Sequence, residues 1–232
     1  MKIAIVDDDL KWCEKIKEEI GRCEQGNEVE IDFFSCGEAY LVSEELYDIS
    51  FVDIEMPGVD GFETIAKMQK RNADGIYVIL TRHNEMSRIG YRVNAFRFID
   101  KLQLDEIKEA IDSAKIVLER NKRIEVNVIG DGVQKITLKD IIFVETEKHY
   151  VLLHARQGIL KCSNNMKEIE DMLPSKWFCR CHNAFIVNLD EITHIDDRIV
   201  YLSNGSDIDI SHRKMAQFKK IYLDRQFGCA NA

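Results

Sequence analysis

The stretch ISFVDIEMPGVDG, residues 49–61, decides the fold of the first half of this chain. A short apolar run leads directly into Asp53, and a segment with one proline and two glycines follows. This pattern is typical of a buried strand that ends in a carboxylate before the chain turns tightly. We therefore expect Asp53 to be chemically active and the other motifs of this half to serve its chemistry.

Apolar runs and helical periodicity alternate on both sides of this stretch. Strands are predicted at residues 2–6, 29–33, 49–53, 77–80 and 96–99. Apolar residues at three- and four-residue spacing predict a helix after each strand, and Met86, Ile89 and Val93 mark the fourth of these helices. The alternation predicts an α/β doubly wound fold, in which a five-stranded parallel sheet lies between helices on both faces.

Polar residues stand where four of these strands end. They are Asp7 and Asp8, Asp53, Thr81 and Lys101. Taken singly, each has an ordinary structural explanation, such as N-capping for the aspartates. Ligands of parallel sheets, however, bind outside the carboxyl ends of the strands, so these groups are expected to converge on one edge.

Three converging carboxylates repel one another and favour a hard divalent cation, and Mg²⁺ prefers carboxylate and phosphate oxygens. Such a metal-neutralised crevice admits an anionic phosphoryl donor, which the carboxylate of Asp53 can attack. The ammonium of Lys101 and the hydroxyl of Thr81 are then suited to bind the phosphoryl oxygens. The residues alone therefore predict phosphoryl transfer to Asp53.

The order and spacing of these residues resemble the receiver domain of bacterial two-component response regulators, over residues 1 to about 120. The resemblance implies a flavodoxin-like fold in which Asp53 accepts a phosphoryl group from a sensor histidine kinase. It also implies that Asp8, Asp53 and the backbone carbonyl of Glu55 hold Mg²⁺, while Asp7 acts mainly through water.

Three further positions bear on how such a pocket works. Phe98 stands where the family keeps an aromatic residue that moves inward on phosphorylation. Leu102 follows Lys101 where the family usually has a proline, often after a cis bond, and a cis bond here would cost about 2.5–4 kcal/mol. We therefore expect a trans bond and an altered aim of Lys101. Arg82 stands where a small residue is usual, and is expected either to crowd the phosphate entrance or to help bind the phosphate.

The charge is distributed unevenly along the chain. Residues 1–120 hold 16 Lys and Arg against 26 Asp and Glu, a net charge of −10, whereas residues 121–232 hold 16 against 15, a net charge of +1. Together they give the formal net charge of −9. The asymmetry favours two domains with different partners. We place them at residues 1–120 and 124–232, joined by a charged linker at 121–123.

Other sequence features bound the location of the protein. No apolar run approaches the roughly 20 residues that a membrane span requires, and the start of the chain lacks the pattern of a signal peptide. Seven cysteines are an odd number without the spacing of a disulfide framework, so we expect reduced thiols. The prediction is a cytoplasmic protein without a membrane partner.

The second half changes to short strands separated by turns. Strands are predicted at residues 125–129, 133–138, 141–145, 151–154, 159–162, 185–187, 192–195, 199–202 and 208–210. Two helices are predicted at residues 166–173 and 212–227. This pattern indicates a mainly β output domain and not a helix-turn-helix.

Three segments of this half, IIFVETEKHYVLLH at 141–154, FCRCHNAFIVNLDEI at 178–192 and DISHRK at 209–214, resemble the LytTR DNA-binding domain. The resemblance implies a mainly β LytTR-type domain whose loops and strand ends enter the major groove of promoter DNA. By matching position it implies base or backbone contacts from His149, Asn183 and Arg213, with Arg180, Lys148 and Lys214 as weaker candidates for phosphate contacts.

These side chains suit the role, because Arg can contact guanine and Asn can contact adenine through paired hydrogen bonds. Each also has a structural explanation, for example a turn residue in the case of Asn183. A nearly neutral domain makes few phosphate contacts, so tandem promoter repeats or dimerisation are expected to supply affinity. We therefore expect a phosphorylation-dependent transcriptional regulator that forms a homodimer when Asp53 is phosphorylated.

Two alternative functions stay open at this point. The β domain could bind a protein partner in place of DNA, and weak salt dependence would then distinguish it. Asp53 could instead be the nucleophile of a phosphatase, although the second half offers no acid-base pair for turnover. Cys179 and Cys181 are expected to be buried thiols, but the LytTR family includes regulators with a sensitive cysteine near this place, so the reactivity of Cys181 is worth testing.

Overall fold

The computed structural model describes residues 1–82 and 93–228. Met86 and Ile89, which mark the fourth predicted helix, lie outside the described residues. None of the described helices combines the length and the apolar character that crossing a membrane requires.

The chain separates into two compact units, Met1–Glu119 and Arg120–Ala232. The last helix of the first unit spans Glu106–Asn121, and the first strand of the second unit begins at Arg123. Of the predicted linker at 121–123, Asn121 therefore ends the helix and Arg123 begins the strand.

The described residues of the first unit form a five-stranded parallel sheet with helices on both faces, as the apolar pattern predicts. Its strands are β1 (Lys2–Val6), β2 (Glu30–Phe34), β3 (Ile49–Asp53), β4 (Ile76–Thr81) and β5 (Arg97–Asp100), in the order β2-β1-β3-β4-β5. The helices are α1 (Leu10–Cys23), α2 (Gly37–Val42), α3 (Gly61–Arg71) and α4 (Glu106–Asn121). The strand order reverses between β1 and β3, which is where sheets of this kind bind ligands.

Successive side chains of each strand point to opposite faces of the sheet. In β1, Ile3 and Ile5 pack with apolar residues of α1 and α4, whereas Ala4 and Val6 pack with residues of α2 and α3. A sheet covered on both faces needs strands that are apolar throughout, and all residues of β3 and β4 are indeed buried. Charged groups therefore stand at the strand ends, whereas the buried hydroxyl of Ser50, inside β3, is hydrogen-bonded to the hydroxyl of Tyr40 at 2.6 Å.

Two glycines of the opening stretch fix the turn after β3. Gly58 has φ of +84°, in the left-handed region that other residues rarely adopt. At Gly61, the first residue of α3, a Cβ atom would collide with the main-chain carbonyl of Asp53. The Asp60 side chain accepts a hydrogen bond from the N–H of Glu63 at 2.8 Å and so caps α3. The helix thus begins directly against the end of β3.

The described residues of the second unit form a mainly β structure with two antiparallel sheets. The strands are β6 (Arg123–Val128), β7 (Gly132–Thr137), β8 (Ile141–Glu147), β9 (Tyr150–Ala155), β10 (Gly158–Cys162), β11 (Phe178–His182), β12 (Phe185–Asn188), β13 (Ile192–Asp196), β14 (Ile199–Leu202) and β15 (Asp207–Asp209). The larger sheet has the order β11-β12-β8-β9-β10-β6-β7 and the smaller one β13-β14-β15. The helices are α5 (Met166–Met172) and α6 (Met215–Gly228).

The two sheets of the second unit share a core with α6. Phe143 of β8, Val187 of β12, Val200 of β14 and Phe218 of α6 belong to one cluster of buried residues. These strands and this helix supply apolar side chains at the expected spacing, so their positions were accessible from the sequence.

Strand β11 is absent from the sequence prediction, and its geometry explains the omission. Phe178 and Cys181 are both buried although they lie three residues apart, which breaks the two-residue period of a regular strand. The pairing register with β12 shifts between Cys179 and His182. This β-bulge re-aims the side chains that follow it, and the turn after it carries Asn183.

Candidate functional site

The carboxyl ends of the strands in the first unit bring three carboxylates together. Asp7 and Asp8 follow β1 directly, and Asp53 is the last residue of β3. One carboxylate oxygen from each of the three residues lies within 4.8 Å of the others. Asp7 and Asp53 are buried, whereas Asp8 is exposed and faces the opening. The sequence-predicted crevice of acids is therefore present.

Lys101 is the buried cation of this crevice. Its ammonium lies 2.7 Å from an oxygen of Asp7 and 2.7 Å from an oxygen of Asp53, and only 4% of its side chain is exposed. The main-chain N–H of Lys101 donates to the carbonyl of Thr81 at 2.9 Å, so the backbone of Lys101 is held against the end of β4. Thr81, the last residue of β4, is itself buried.

The absence of proline after Lys101 does not misdirect the lysine. The Lys101–Leu102 peptide bond is trans, and Leu102 is 79% exposed. The ammonium nevertheless donates a hydrogen bond to Asp53. The altered aim that the sequence suggested is therefore not observed.

The surroundings of the Asp53 carboxyl group disfavour its ionised form. Burial raises its pKa above the ordinary value, and the nearby charge of Asp7 raises the pKa further. The hydrogen bond and charge of Lys101, together with a hydrogen bond from the backbone N–H of Glu55, act in the opposite direction without cancelling the rise. The ionised form of Asp53 would gain from additional positive charge at this place.

The donor atoms around the crevice suit a hard divalent cation. One Asp7 oxygen is buried and has no hydrogen-bond partner among the described residues, since its contact with Lys101 is not aligned as a hydrogen bond. The crevice opens into a cavity of about 150 Å³, lined by Asp7, Asp8, Asp9, Trp12, Asp53, Glu55, Arg82 and Lys101. Oxygen ligands beside an open space for water and phosphate are what Mg²⁺ requires. The residues present therefore fit the ion.

Phe98, the candidate switch residue, belongs to β5 and is half-buried. It is paired in register with Ile79 of β4 and packs against the core on the α2 and α3 face. In this arrangement the ring contributes to the core beside the pocket.

In the second unit, two neighbouring hairpins of the larger sheet present their turns at the same edge. The turn between β8 and β9 carries Lys148 and His149, and the turn between β11 and β12 carries Asn183, all three exposed. The N–H of Thr146 donates to the carbonyl of Ala184 at 2.9 Å, so the two turns are adjacent.

Arg213 lies on the segment that follows β15, and this segment is attached to β11. The N–H of Ser211 donates to the carbonyl of Cys181 at 3.0 Å. The side chain of Arg213 is exposed. The backbone segments that carry His149, Asn183 and Arg213 are therefore hydrogen-bonded to one another in series.

Arg180 and Lys214, which the sequence suggested as phosphate contacts, direct their charged groups toward protein partners. The guanidinium of Arg180 donates to the carboxylate of Glu170 on α5 at 2.7 Å and to the carbonyl of Asn183 at 2.7 Å. The ammonium of Lys214 donates to the carbonyl of Arg180 at 2.9 Å. Glu170 was missed by sequence reasoning, because an acid on a short helix carries no signal of its partner.

Cys181 is fully buried in the core of the second unit. Burial raises the pKa of its thiol to about 12, and its S–H donates to the carbonyl of Phe185 at 3.8 Å. Such a thiol is structural, because reactive cysteines have lowered pKa values and solvent access. Cys179 is partly exposed, and burial also raises the pKa of its thiol.

Two family models match the chain. Residues 3–112 match the response regulator receiver domain, and residues 131–222 match the LytTr DNA-binding domain. The two matched ranges correspond to the parallel unit with the carboxylate crevice and to the β unit with the adjacent turns.

Two similar proteins match this chain over nearly its whole length. The accessory gene regulator protein A of Staphylococcus epidermidis is 29% identical over 237 residues, covering 93% of this chain and 99% of that protein. The positive alginate biosynthesis regulatory protein of Pseudomonas aeruginosa is 24% identical over 249 residues, covering 95% of this chain and 98% of that protein.

Among solved structures, the response regulator TrrA of Thermotoga maritima, in complex with Mg²⁺ and BeF, is 30% identical with a TM-score of 0.44, covering 49% of this chain and 97% of that one. A receiver domain and a LytTR domain imply a phosphate-donating kinase and DNA as partners. The chain thus belongs to the two-component response regulators, with an N-terminal receiver domain and a C-terminal LytTR DNA-binding domain.

Proposed function

We propose that Asp53 accepts a phosphoryl group from a sensor histidine kinase in the cytoplasm, and that this event controls binding of promoter DNA by the LytTR domain. One observation carries the proposal: a buried lysine joins the carboxylates of Asp7 and Asp53 at 2.7 Å each, beside an open cavity of about 150 Å³. A structural ion pair needs neither a third carboxylate nor an open cavity.

The chemistry follows from these positions. An oxygen of Asp53 attacks the phosphorus atom, the bond to the donor breaks, and the leaving group departs with the electron pair. Lys101 and the Thr81 hydroxyl bind the phosphoryl oxygens, and the N–H of Glu55 holds the acceptor carboxylate. Asp8, Asp53 and the carbonyl of Glu55 would hold Mg²⁺, which would supply the positive charge that lets an anionic donor approach. Most of the catalysis is positioning and charge stabilisation.

The DNA contacts would come from the three adjacent segments of the LytTR domain. We propose that His149, Asn183 and Arg213 reach base edges or backbone and that Lys148 contacts a phosphate, since all four are exposed. Arg180, anchored by Glu170, would fix the Asn183 turn by its hydrogen bond to the carbonyl. Asn and Arg side chains discriminate bases only when their geometry is fixed, because paired hydrogen bonds require alignment.

Affinity must then come from more than one domain. A nearly neutral half, with 16 basic against 15 acidic residues, makes few phosphate contacts. Homodimerisation on tandem promoter repeats would join two weak contacts into one strong one. We propose that the phosphoryl group on Asp53 promotes this dimer, with about two negative charges added to the pocket as the driving change.

The test measures DNA affinity with and without phosphorylation. The full chain selects its site from random DNA, and dissociation constants are then measured before and after treatment with acetyl phosphate and Mg²⁺. We expect phosphorylation to tighten binding by tenfold or more, and Asp53→Asn to lose this response. Asp105→Asn, a change of an exposed carboxylate in the same domain, serves as the control and should respond like the wild type. Equal affinity of phosphorylated protein and Asp53→Asn would refute the proposal.

A further inference from the structure

The indole of Trp12 forms part of the wall of the carboxylate pocket. Trp12 lies in the first turn of α1, is 8% exposed, and lines the same cavity as Asp8 and Asp53. The ammonium of Lys101 lies 5.7 Å from the ring centre. The aromatic ring therefore covers the buried lysine at the side of the pocket, in a place that the sequence motifs did not mark.

Arg82 lies over the same ring. Its Cζ atom is 4.9 Å from the centre of the Trp12 indole, within the range of a cation–π contact. Arg82 directly follows Thr81, is exposed, and lines the cavity together with Asp53 and Glu55. A guanidinium that lies over an aromatic ring keeps its N–H donors in its own plane, where they remain available to an oxyanion.

The cavity remains open while Arg82 lines it, with a volume of about 150 Å³. Of the two effects that the sequence allowed for this residue, crowding of the entrance and binding of phosphate, the geometry therefore favours binding.

The balance of charge in the pocket favours a further cation besides Lys101 and the Mg²⁺ that the carboxylates would hold. The Lys101 ammonium is shared between two carboxylates, at 2.7 Å from each. Five carboxylate-bearing residues line the cavity, against two cationic ones, Lys101 and Arg82. An incoming phosphoryl group adds further negative charge, and with two carboxylates already in contact Lys101 has one N–H donor left for it.

We propose that Arg82, held in place by Trp12, is a second phosphoryl-binding cation of this receiver domain. The inference rests on the proposed function, since it concerns the group that Asp53 accepts. Arg82 donates to the phosphoryl oxygens of the donor and of the aspartyl phosphate. Trp12 acts as a positioning residue, because it contacts the guanidinium and not the phosphoryl group.

Arg82 stabilises charge and transfers no proton. In phosphorylation by acetyl phosphate, a bond forms between an Asp53 oxygen and phosphorus, the bond from phosphorus to acetate breaks, and acetate leaves with the electron pair. In hydrolysis, a water oxygen bonds to phosphorus, the Asp53 carboxylate leaves with the electron pair, and the proton of water passes to solvent. Both transition states carry negative charge on the phosphoryl oxygens, so a fixed cation accelerates both reactions.

The experiment measures both rates on the full chain with Mg²⁺, using acetyl phosphate as the donor and separation of phosphorylated protein on a phosphate-binding gel. We expect Arg82→Ala to slow phosphorylation and hydrolysis together by between about tenfold and a hundredfold, less than the loss of a fully buried donor. Arg82→Lys should recover part of both rates, because it keeps the charge without the planar fork.

Two further variants separate positioning from folding. Trp12→Leu should slow both reactions in the wild-type background and have a clearly smaller effect in the Arg82→Ala background, where only the contact of the ring with Lys101 is left to lose. Lys15 lies over the same ring, 4.3 Å from its centre, but does not line the cavity. Lys15→Ala is therefore the matched control and should leave both rates unchanged.

The outcomes distinguish this inference from the proposed function. If Asp53 takes no phosphoryl group in the wild type, the proposed function fails and this inference fails with it. If the wild type is phosphorylated but Arg82→Ala reacts at wild-type rates, only the inference fails. Faster hydrolysis in Arg82→Ala would also overturn it, because Arg82 would then be a shield against water.

Discussion

The receiver pocket and the turns that we propose to contact DNA use charge in opposite ways. In the pocket, the central ionic groups are buried, with 4% of the Lys101 side chain, 2% of Asp7 and 9% of Asp53 exposed. In the LytTR domain, the candidate contact residues are exposed at turns. There the buried carboxylate, Glu191, is paired with Arg156 and takes no part in the proposed contacts.

The difference follows from what each region must do. Phosphoryl transfer gains from charges that are fixed and shielded from water before the donor arrives. DNA contacts must be reachable from solvent, so rigidity has to come from the residues behind them, such as Arg180 and Glu170. In the pocket, burial thus serves the chemistry, whereas in the LytTR domain it serves structural support.

The largest expected effect tests whether Cys181, which is buried near the turns proposed to contact DNA, has a purely structural role. Because burial raises the pKa of Cys181 to about 12, roughly one thiol in ten thousand is ionised at pH 8. We expect iodoacetamide to alkylate Cys181 at least about a thousandfold more slowly than an ordinary thiol. Mass spectrometry of the labelled peptides measures the rate, with the partly exposed Cys36 as an internal comparison and guanidinium-unfolded protein as the control. Rapid labelling of Cys181 in the folded chain would break the comparison.

The next effect tests the burial of charge in the pocket. Lys101→Met leaves Asp7 and Asp53 buried without their cation, which should lower the free energy of unfolding by at least about 3 kcal/mol in the absence of Mg²⁺. Added Mg²⁺ should restore part of the loss, because it binds the folded state. Denaturant unfolding of the receiver domain measures both.

The matched control for this prediction is an exposed lysine of the same domain. Lys108 is 65% exposed and pairs with Asp112 at 2.8 Å, so Lys108→Met should change the stability by less than about 1 kcal/mol. The account would be contradicted if the two substitutions lowered the free energy of unfolding equally, or if Mg²⁺ left the stability of Lys101→Met unchanged.

The same contrast explains what the sequence could predict. The parallel sheet was predictable because strands such as β3 are mostly apolar and end in polar residues, and parallel strands bring those ends to one edge. The pocket residues Asp7, Asp8, Asp53, Thr81 and Lys101 were therefore found together.

Contacts that depend on where a side chain points were not predictable. From the sequence, Arg180 is expected to be a surface cation. In the structure, its guanidinium N–H groups donate to Glu170 and to the Asn183 carbonyl. In the sequence, Trp12 is one of several apolar residues of α1. That its ring lies near the Lys101 ammonium becomes visible only in the folded structure, where α1 lies beside the end of β5. Strand β11 was likewise not predicted, because its bulge interrupts the alternation of buried and exposed residues on which strand prediction depends.

A smaller effect separates contacting from supporting cations in the LytTR domain. We expect Lys148→Gln to lower the slope of log affinity against log salt by about 0.9, the value for one phosphate contact. Arg180→Gln should weaken DNA binding by roughly tenfold, because it removes about one charged hydrogen bond, the one to the carbonyl of Asn183. The slope should not change, because Arg180 fixes the turn and does not contact a phosphate. Fluorescence anisotropy at several salt concentrations measures both. A loss of slope in Arg180→Gln equal to that in Lys148→Gln would show that Arg180 contacts DNA directly.

The most direct test locates the phosphoryl group itself. The full chain is treated with acetyl phosphate in Mg²⁺ or in EDTA, the acyl phosphate is trapped by reduction, and the modified residue is identified by mass spectrometry. The account predicts modification of Asp53 in Mg²⁺ and its near absence in EDTA. Modification of another residue, or of Asp53 to the same extent without the metal ion, would contradict it.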